Sequence, residues 1–305
     1  MLTIKNIDHI YPNGVQALKG VNIDIKKGMF GLLGPNGAGK SSLMRTIATL
    51  QQPTAGSIQF GGIDVIKNPE QLRRVLGYLP QEFGVYPRGS ACELLDHIAV
   101  LKGIKNSKER KEMIERLLYI TNLYDVRNRR LKTYSGGMLQ RFGIAQVLLG
   151  KPQLIIVDEP TAGLDPEERN RFHNMLSEIG EDIVVILSTH IVEDVSVLCS
   201  SMAIMNGGEI VLQGAPEALI GKLNGYIWQK AIDKSELDHY RAYCLISHHQ
   251  SDRKVFIRVF SQQKPGEGFE SPAPNLEDVY FVAIKTQQFG NVVDLTLQPA
   301  ITQVV

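Results

Sequence analysis

Apolar and polar residues alternate through Leu2–Lys27 on either side of a turn at Pro12–Gly14, a pattern that predicts antiparallel strands. Met29–Leu33 follows as a short apolar run, the mark of a buried strand, and a glycine-rich turn begins at Gly34. Leu43, Ile47 and Leu50 then recur at helical spacing, predicting a helix over Ser41–Leu50. From about Pro87 to Leu149 the periodicity stays helical, carried by Leu94, Leu95, Ile98 and Leu101, then by Ile114, Leu117 and Leu118. Leu154–Val157 and Ile183–Leu187 are continuous apolar runs of the kind found in parallel strands covered on both faces. The Gly207–Gly208 pair between Ala203–Met205 and Ile210–Leu212 predicts a hairpin.

The character changes after Pro216, which suits the first position of a short helix ending near Leu223. Tyr226–Ile232, Tyr243–Ser247 and Val255–Phe260 read as strands. Asn275 can cap a helix over Leu276–Ile284, with Glu277 and Asp278 in its first turn. Residues 216–285 thus form a small α+β appendage to a main domain over 1–215, whose helical subdomain covers about 87–150. The tail 286–305 has no clear period and stays unassigned.

Composition narrows the class. Among 305 residues, 43% are hydrophobic and 21% charged, which suits a globular protein and excludes a disordered one. No run of 18 apolar residues exists to span a membrane, and Met1–Asn13 does not read as a secretory signal. Cys92, Cys199 and Cys244 are widely spaced, as expected of reduced thiols in a cytosolic protein. A net charge of +1 supplies no basic field for nucleic acid, so no nucleic-acid partner is expected. The charge-rich stretch 105–116 mixes signs and reads as a solvated helix face.

Two segments carry chemistry. Gly34-Pro35-Asn36-Gly37-Ala38-Gly39-Lys40-Ser41 fits G-x-x-x-x-G-K-[ST] between a strand and a helix. In that setting backbone N–H groups and a helix N-terminus face phosphate oxygens. Lys40 reaches the β- and γ-phosphates of ATP, and the Ser41 hydroxyl ligates Mg²⁺. Leu154–Val157 ends in Asp158 and Glu159, where Asp158 suits the Mg²⁺ shell and Glu159 suits a general base for the attacking water. Acids at the end of a buried strand are common. Paired with the phosphate loop, these two imply hydrolysis as well as binding.

Between the two lies Tyr134-Ser135-Gly136-Gly137-Met138-Leu139-Gln140-Arg141, ahead of an apolar helix. Ser135 there suits a helix N-cap. Here the chain closely resembles the ATP-binding cassette (ABC) family, whose signature is usually Leu-Ser-Gly-Gly-Gln. Ser135, Gly136 and Gly137 match it, while Tyr134 and Met138 depart from it. The resemblance covers about residues 2–215. It implies an α/β fold: a P-loop NTPase core with an antiparallel β subdomain and a helical insertion, here with the C-terminal α+β appendage. It assigns Tyr11 to adenine stacking, Ser42 to the nucleotide beside the loop, and Gln81 to sensing Mg²⁺ and water. Ala162-Gly163-Leu164-Asp165 matches the loop that crosses between two ATPase domains, and His190 matches the switch histidine at the γ-phosphate.

The resemblance also implies partners. Signature residues of one copy serve the nucleotide of another, so two chains would enclose two ATPs about a two-fold axis. The expected role is the ATP-hydrolysing subunit of an ABC transporter, working through a separate integral membrane permease. Pro274–Tyr280 resembles a segment of drug-resistance ATPases, which favours export. The expected location is cytoplasmic, peripheral on the inner face of the cell membrane, with the loop from Gln81 to Gly89 as the permease contact. Phe83 and Tyr86 of that loop either form an exposed patch or pack the subdomain joint. The alternative is a soluble ABC-type ATPase acting on a ribosome or nucleic acid. Such proteins generally carry two cassettes or long coiled coils, and this chain has one contiguous cassette and no heptad run.

Overall fold

The computed structural model describes residues 1–84, 88–179, 182–242, 244–251 and 254–289. In chain order, β1 (Leu2–Ile10), β2 (Gln16–Ile25) and β3 (Gly28–Leu33) lead into α1 (Lys40–Ile47). Then come β4 (Ala55–Phe60), β5 (Ile63–Asp64), α2 (Pro69–Val75) and β6 (Leu76–Leu79). Three longer helices follow, α3 (Ala91–Leu101), α4 (Ser107–Ile120) and α5 (Gly136–Leu148). The core resumes with β7 (Leu154–Asp158), α6 (Pro166–Ile179), β8 (Val184–Thr189), α7 (Val192–Leu198), β9 (Ser201–Asn206) and β10 (Glu209–Gly214). The remainder comprises α8 (Pro216–Gly221), β11 (Ile227–Ile232), β12 (Cys244–Ser251), β13 (Lys254–Phe260) and α9 (Leu276–Phe289).

The central sheet runs β10-β9-β3-β8-β7-β6, parallel except for β10. Its inner strands β3, β7 and β8 bury both faces, which is why they read as unbroken apolar runs rather than alternations. Val184 and Ile186 point into one core with α1 and the apolar faces of β1, β2 and β4; Val185 and Leu187 point into the other. Leu154 and Ile156 share the first core, Ile155 and Val157 the second. The alternating N-terminal strands form a separate sheet, β2-β1-β4-β5, which covers one face only.

Helices α3, α4 and α5 pack on one another around Leu95, Leu118 and Phe142, forming the helical subdomain. A reciprocal capping box starts α3: Glu93 N–H donates to Ser90 Oγ at 3.3 Å, and Ser90 N–H to the Glu93 carboxylate at 2.8 Å. A cap of this sort contributes about 1 kcal/mol.

At the C-terminus, β11-β13-β12 make a three-stranded sheet against a 3₁₀ segment over Lys234–Ala242. Asn275 caps α9 as predicted, its Oδ1 accepting from Asp278 N–H at 2.9 Å. The composition change at Pro216 coincides with α8, but the core runs on across it. Leu223, Ile227, Ile246, Phe260, Leu276 and Val279 belong to the same buried cluster as Val185, Leu187, Val195 and Leu198 of the main sheet and α7.

The helix predicted over Ser41–Leu50 stops at Ile47, because Thr49 turns into the left-handed region at φ 61°. That over Leu276–Ile284 extends to Phe289; residues 290–305 of the unassigned tail lie outside the described residues.

Candidate functional site

Parallel α/β sheets bind ligands beyond the carboxyl ends of their strands, where helix N-termini converge. The predicted residues gather at that edge. A cleft of about 540 Å³ is lined by Tyr11, Pro35–Ser42, Gln81, Glu159 and His190, together with Val15, Gln16, Ala17 and the hairpin glycines Gly207 and Gly208, none of which the sequence marks as site residues. Gly34 and Asp158 do not line it.

Residues 34–39 pass from β3 into α1 as a tight loop. Ala38 N–H donates to Pro35 O at 3.1 Å, and Gly208 N–H in the β9–β10 hairpin donates to Ala38 O at 2.9 Å. That bond ties the hairpin to the loop. The first turn of α1 holds no acidic residue, so its unpaired N–H groups and dipole face the cleft uncompensated. Lys40 is buried, its Nζ donating to Gly34 O at 2.8 Å and Pro35 O at 3.3 Å, and lying 3.6 Å from Glu159 Oε1. Its cation is therefore stored inside the loop by the carbonyl oxygens and the carboxylate opposite. Tyr11 OH and Ser42 Oγ are hydrogen-bonded at 2.9 Å, which sets the tyrosine ring at the rim next to the loop.

Glu159 stands where β7 turns away, at φ 50°, a left-handed backbone unusual for this residue type. Its N–H donates to Ser188 O at 2.8 Å, tying it to the end of β8. One carboxylate oxygen faces Lys40; the other accepts from His190 Nδ1 at 2.6 Å. His190 is half exposed, so the pair has a buried acid and a histidine free to meet a ligand.

Asp158, next to Glu159, is buried, and its Oδ1 has no hydrogen-bond partner among the described residues. A buried carboxylate oxygen lacking a donor suits the water shell of a divalent cation. Ser41 and Gln81, which line the cleft, offer a hydroxyl and an amide, so the donor set fits Mg²⁺, which takes few protein ligands when phosphates supply the rest. The Asp158 charge is felt nearby. Burial first, and that carboxylate second, push the Tyr78 phenol above its ordinary range and keep it protonated.

The signature segment lies elsewhere. Ser135 caps α5, its Oγ accepting from Met138 N–H at 3.2 Å, and Ser135 and Gly136 are exposed. None of Ser135, Gly136 and Gly137 lines the cleft of its own chain. The two departures from the family pattern have packing reasons. Tyr134 is buried with its hydroxyl on Val126 O at 3.0 Å, and Met138 packs on the same helical core. Gly137 allows α5 and α6 to approach, since a Cβ there would meet the Glu168 carboxylate at 2.6 Å. Asp165 caps α6, its Oδ1 accepting from Glu168 N–H at 2.8 Å. Phe83 is half-buried against the core and touches α5 beside Gly143, so it packs the subdomain joint rather than forming an exposed patch; Val85, Tyr86 and Pro87 lie outside the described residues.

A second polar cluster escaped the sequence reading. Asp194, on α7, is fully buried and bonded to Thr161, Arg169 and His173. An acid four residues past His190 was the only local signal.

A glycine-rich loop of the phosphate-loop pattern between β3 and α1, with an acid at the end of β7, the next parallel strand but one, is the arrangement of a P-loop ATPase. Within that class, a model of the family described as "ABC transporter" matches residues 18–162. The chain belongs to the ABC transporter family, among its ATP-binding proteins. YbhF of Escherichia coli (strain K12), a probable multidrug ABC transporter ATP-binding protein, is 35% identical over 239 residues, covering 78% of this chain and 38% of YbhF. The chain therefore spans well under half of that relative. NatA of Bacillus subtilis (strain 168), an ABC transporter ATP-binding protein, is 38% identical over 67% of this chain and 84% of its own length. MetN of Helicobacter pylori, a methionine import ATP-binding protein, is 33% identical over 81% and 80%. The fold also matches the dimeric post-hydrolysis structure of the ATP-binding cassette MJ0796 bound to ADP and Pi, with a TM-score of 0.65 and 27% identity over 70% of this chain and 98% of that one.

Proposed function

We propose that this chain binds Mg-ATP in the cleft at the loop 34–42, hydrolyses it, and so drives a transporter whose membrane-spanning part is a separate permease. The observation that carries this reading is the convergence of Lys40, Glu159 and His190 on one cleft from three different elements. The helix edge of α1 and the loop N–H groups receive the phosphates. Lys40 leaves its two carbonyl acceptors and Glu159 for the β- and γ-phosphates. That exchange frees Glu159, with one oxygen still held by His190, to accept a proton from the attacking water. The water oxygen bonds to the γ-phosphorus, the bond to the bridging oxygen of ADP breaks, and the proton goes to Glu159. His190 turns its other ring nitrogen toward the γ-phosphate. Mg²⁺, when bound, would be held by Ser41 and, with Gln81 and Asp158, neutralise charge on the phosphate oxygens.

Ser135, Gly136 and Gly137 lie outside the cleft of their own chain and are mostly exposed, which supports their serving the nucleotide of a second copy, with Asp165 near the crossing. Two copies would then close on two ATPs and open after phosphate loss, the stroke that moves a permease. Export is the reading we favour, supported by the Pro274–Tyr280 segment and by likeness to YbhF, a probable multidrug ABC transporter ATP-binding protein; MetN, by contrast, is a methionine import ATP-binding protein. The permease contact is the joint beside Gln81, at a groove of about 230 Å³ between β6 and α5. Among the described residues no helix is long and apolar enough to cross a membrane.

Glu159→Gln tests the chemistry. ATP binding should persist, turnover should fall about 10²–10⁴-fold, and ATP-bound dimer should accumulate on size exclusion. Wild-type turnover with monomer alone would refute it.

A further inference from the structure

The Glu159–His190 contact joins two loops, one from β7 to α6 and one from β8 to α7. Those loops meet a second time at Asp194. Its Oδ2 accepts from Thr161 Oγ1 at 2.5 Å, two residues past Glu159, and from Thr189 Oγ1 at 3.5 Å, immediately before His190. Its Oδ1 accepts from Arg169 Nε at 2.8 Å and meets His173 Nε2 at 2.8 Å, both from α6. Asp194 has no exposed surface, and Thr161, His173 and Thr189 are buried around it. Arg169 also reaches Glu193 at 3.0 Å on the solvent side.

A carboxylate in such a place is costly unless each oxygen is matched, and an apolar side chain of that size would do as well for packing. What the carboxylate adds is direction. It fixes Thr161 and Thr189 relative to each other, and through them the backbone on which Glu159 and His190 stand. Glu159 needs that restraint, since its left-handed backbone at φ 50° is not one the residue adopts by preference. Asp194 does not line the nucleotide cleft.

We infer that Asp194 is a positioning residue for hydrolysis: through Thr161 and Thr189 it holds Glu159 and His190 at their contact, and so sets kcat without contributing to ATP binding. The inference rests on Glu159 being the base. A displacement near 1 Å of a catalytic group can cost about 100-fold. Asp194→Asn keeps the shape and removes the charge that Arg169 matches. It should lower kcat about 10- to 100-fold, leave KM for ATP within about twofold, and leave affinity for a fluorescent ATP analogue unchanged.

Two further measurements separate positioning from mere folding. In a Glu159→Gln background, Asp194→Asn should lower the residual rate no further, because the group it aims is already gone. Thr161→Val removes one hydroxyl while leaving the carboxylate matched by α6; it should reduce kcat several-fold, and Thr161→Ser should restore it. If Asp194→Asn does not fold, the threonine pair decides alone. Wild-type kcat in folded Asp194→Asn or Thr161→Val, or a full additive loss in the double variant, overturns the inference. An active Glu159→Gln single variant overturns the assignment of the base, and the positioning role with it.

Discussion

Replacing one glycine of the phosphate loop by alanine should be far worse than replacing its neighbour. Gly37 and Gly39 both have positive φ, 80° and 106°, which alanine adopts at a cost of about 1–2 kcal/mol. Their surroundings differ. A Cβ on Gly37 meets nothing within 4 Å, whereas one on Gly39 would lie 2.6 Å from Ala17 O and 2.9 Å from Met205 Cε. The methionine end can swing aside. The carbonyl cannot, because Ala17 is in β2 and, two residues on, Lys19 N–H is bonded to Gly208 O at 2.9 Å. Overpacking against fixed atoms adds about 1–3 kcal/mol. Gly37→Ala should therefore destabilise by about 1–2 kcal/mol, and Gly39→Ala by about 2–5 kcal/mol. Urea unfolding of the nucleotide-free protein, comparing midpoints at a common slope, measures both. Losses equal within about 0.5 kcal/mol would refute the argument, since the contact with Ala17 would then count for nothing.

Ser135→Arg should abolish hydrolysis in a chain that still binds ATP, and mixing it with Lys40→Ala chains should restore part of the activity through one intact face. A mixture no more active than either variant refutes the shared site. Deleting residues from 221 onward strips Leu223, Ile227, Ile246, Phe260, Leu276 and Val279 from a cluster that includes Val195 and Leu198. Each buried apolar side chain is worth about 1.5–3 kcal/mol, so the truncated chain should be insoluble or melt far below the full one. An unchanged melting temperature on scanning calorimetry would contradict this. The Cys199 thiol is pushed up to about 12 by burial first and by the Asp194 charge second. It should resist thiol reagents at pH 8 until the protein unfolds. The folded state holds this proton more tightly than the unfolded chain, so the stability from this group is full below pH 9 and is lost as pH rises towards 12. Rapid labelling of native Cys199, mapped by mass spectrometry, would be the contrary result.

Features written in contiguous residues were legible from the sequence. The phosphate loop, the acid pair and the glycine hairpin each need only a few neighbours, and continuous apolar runs announced the doubly covered strands. Helices α6 and α7 were missed although α6 has local signals: Asp165 to cap it, Pro166 at its start, Glu167 and Glu168 in its first turn. Strand β4 was missed because only Ile58 and Phe60 of its six residues are buried, too short an alternation to stand out. For Phe83 the choice between an exposed patch and the subdomain joint stayed open, because nothing local shows that α5 comes back to cover it. The Asp194 cluster draws Thr161, Arg169, His173 and Thr189 from elements that share no period, and only tertiary packing joins them.

The order of strands in the central sheet also sets a timetable for synthesis. β3 pairs with β8 and β9, and with nothing made earlier. At about 5–20 residues per second, the roughly 150 residues separating β3 from β8 take some 8–30 s to emerge. For that interval the strand bearing the phosphate loop has neither edge covered, while the sheet of β1, β2, β4 and β5 is complete by residue 64. The nascent chain thus spends its youth with one finished sheet and one bare apolar strand, the condition in which a holdase chaperone has most to bind.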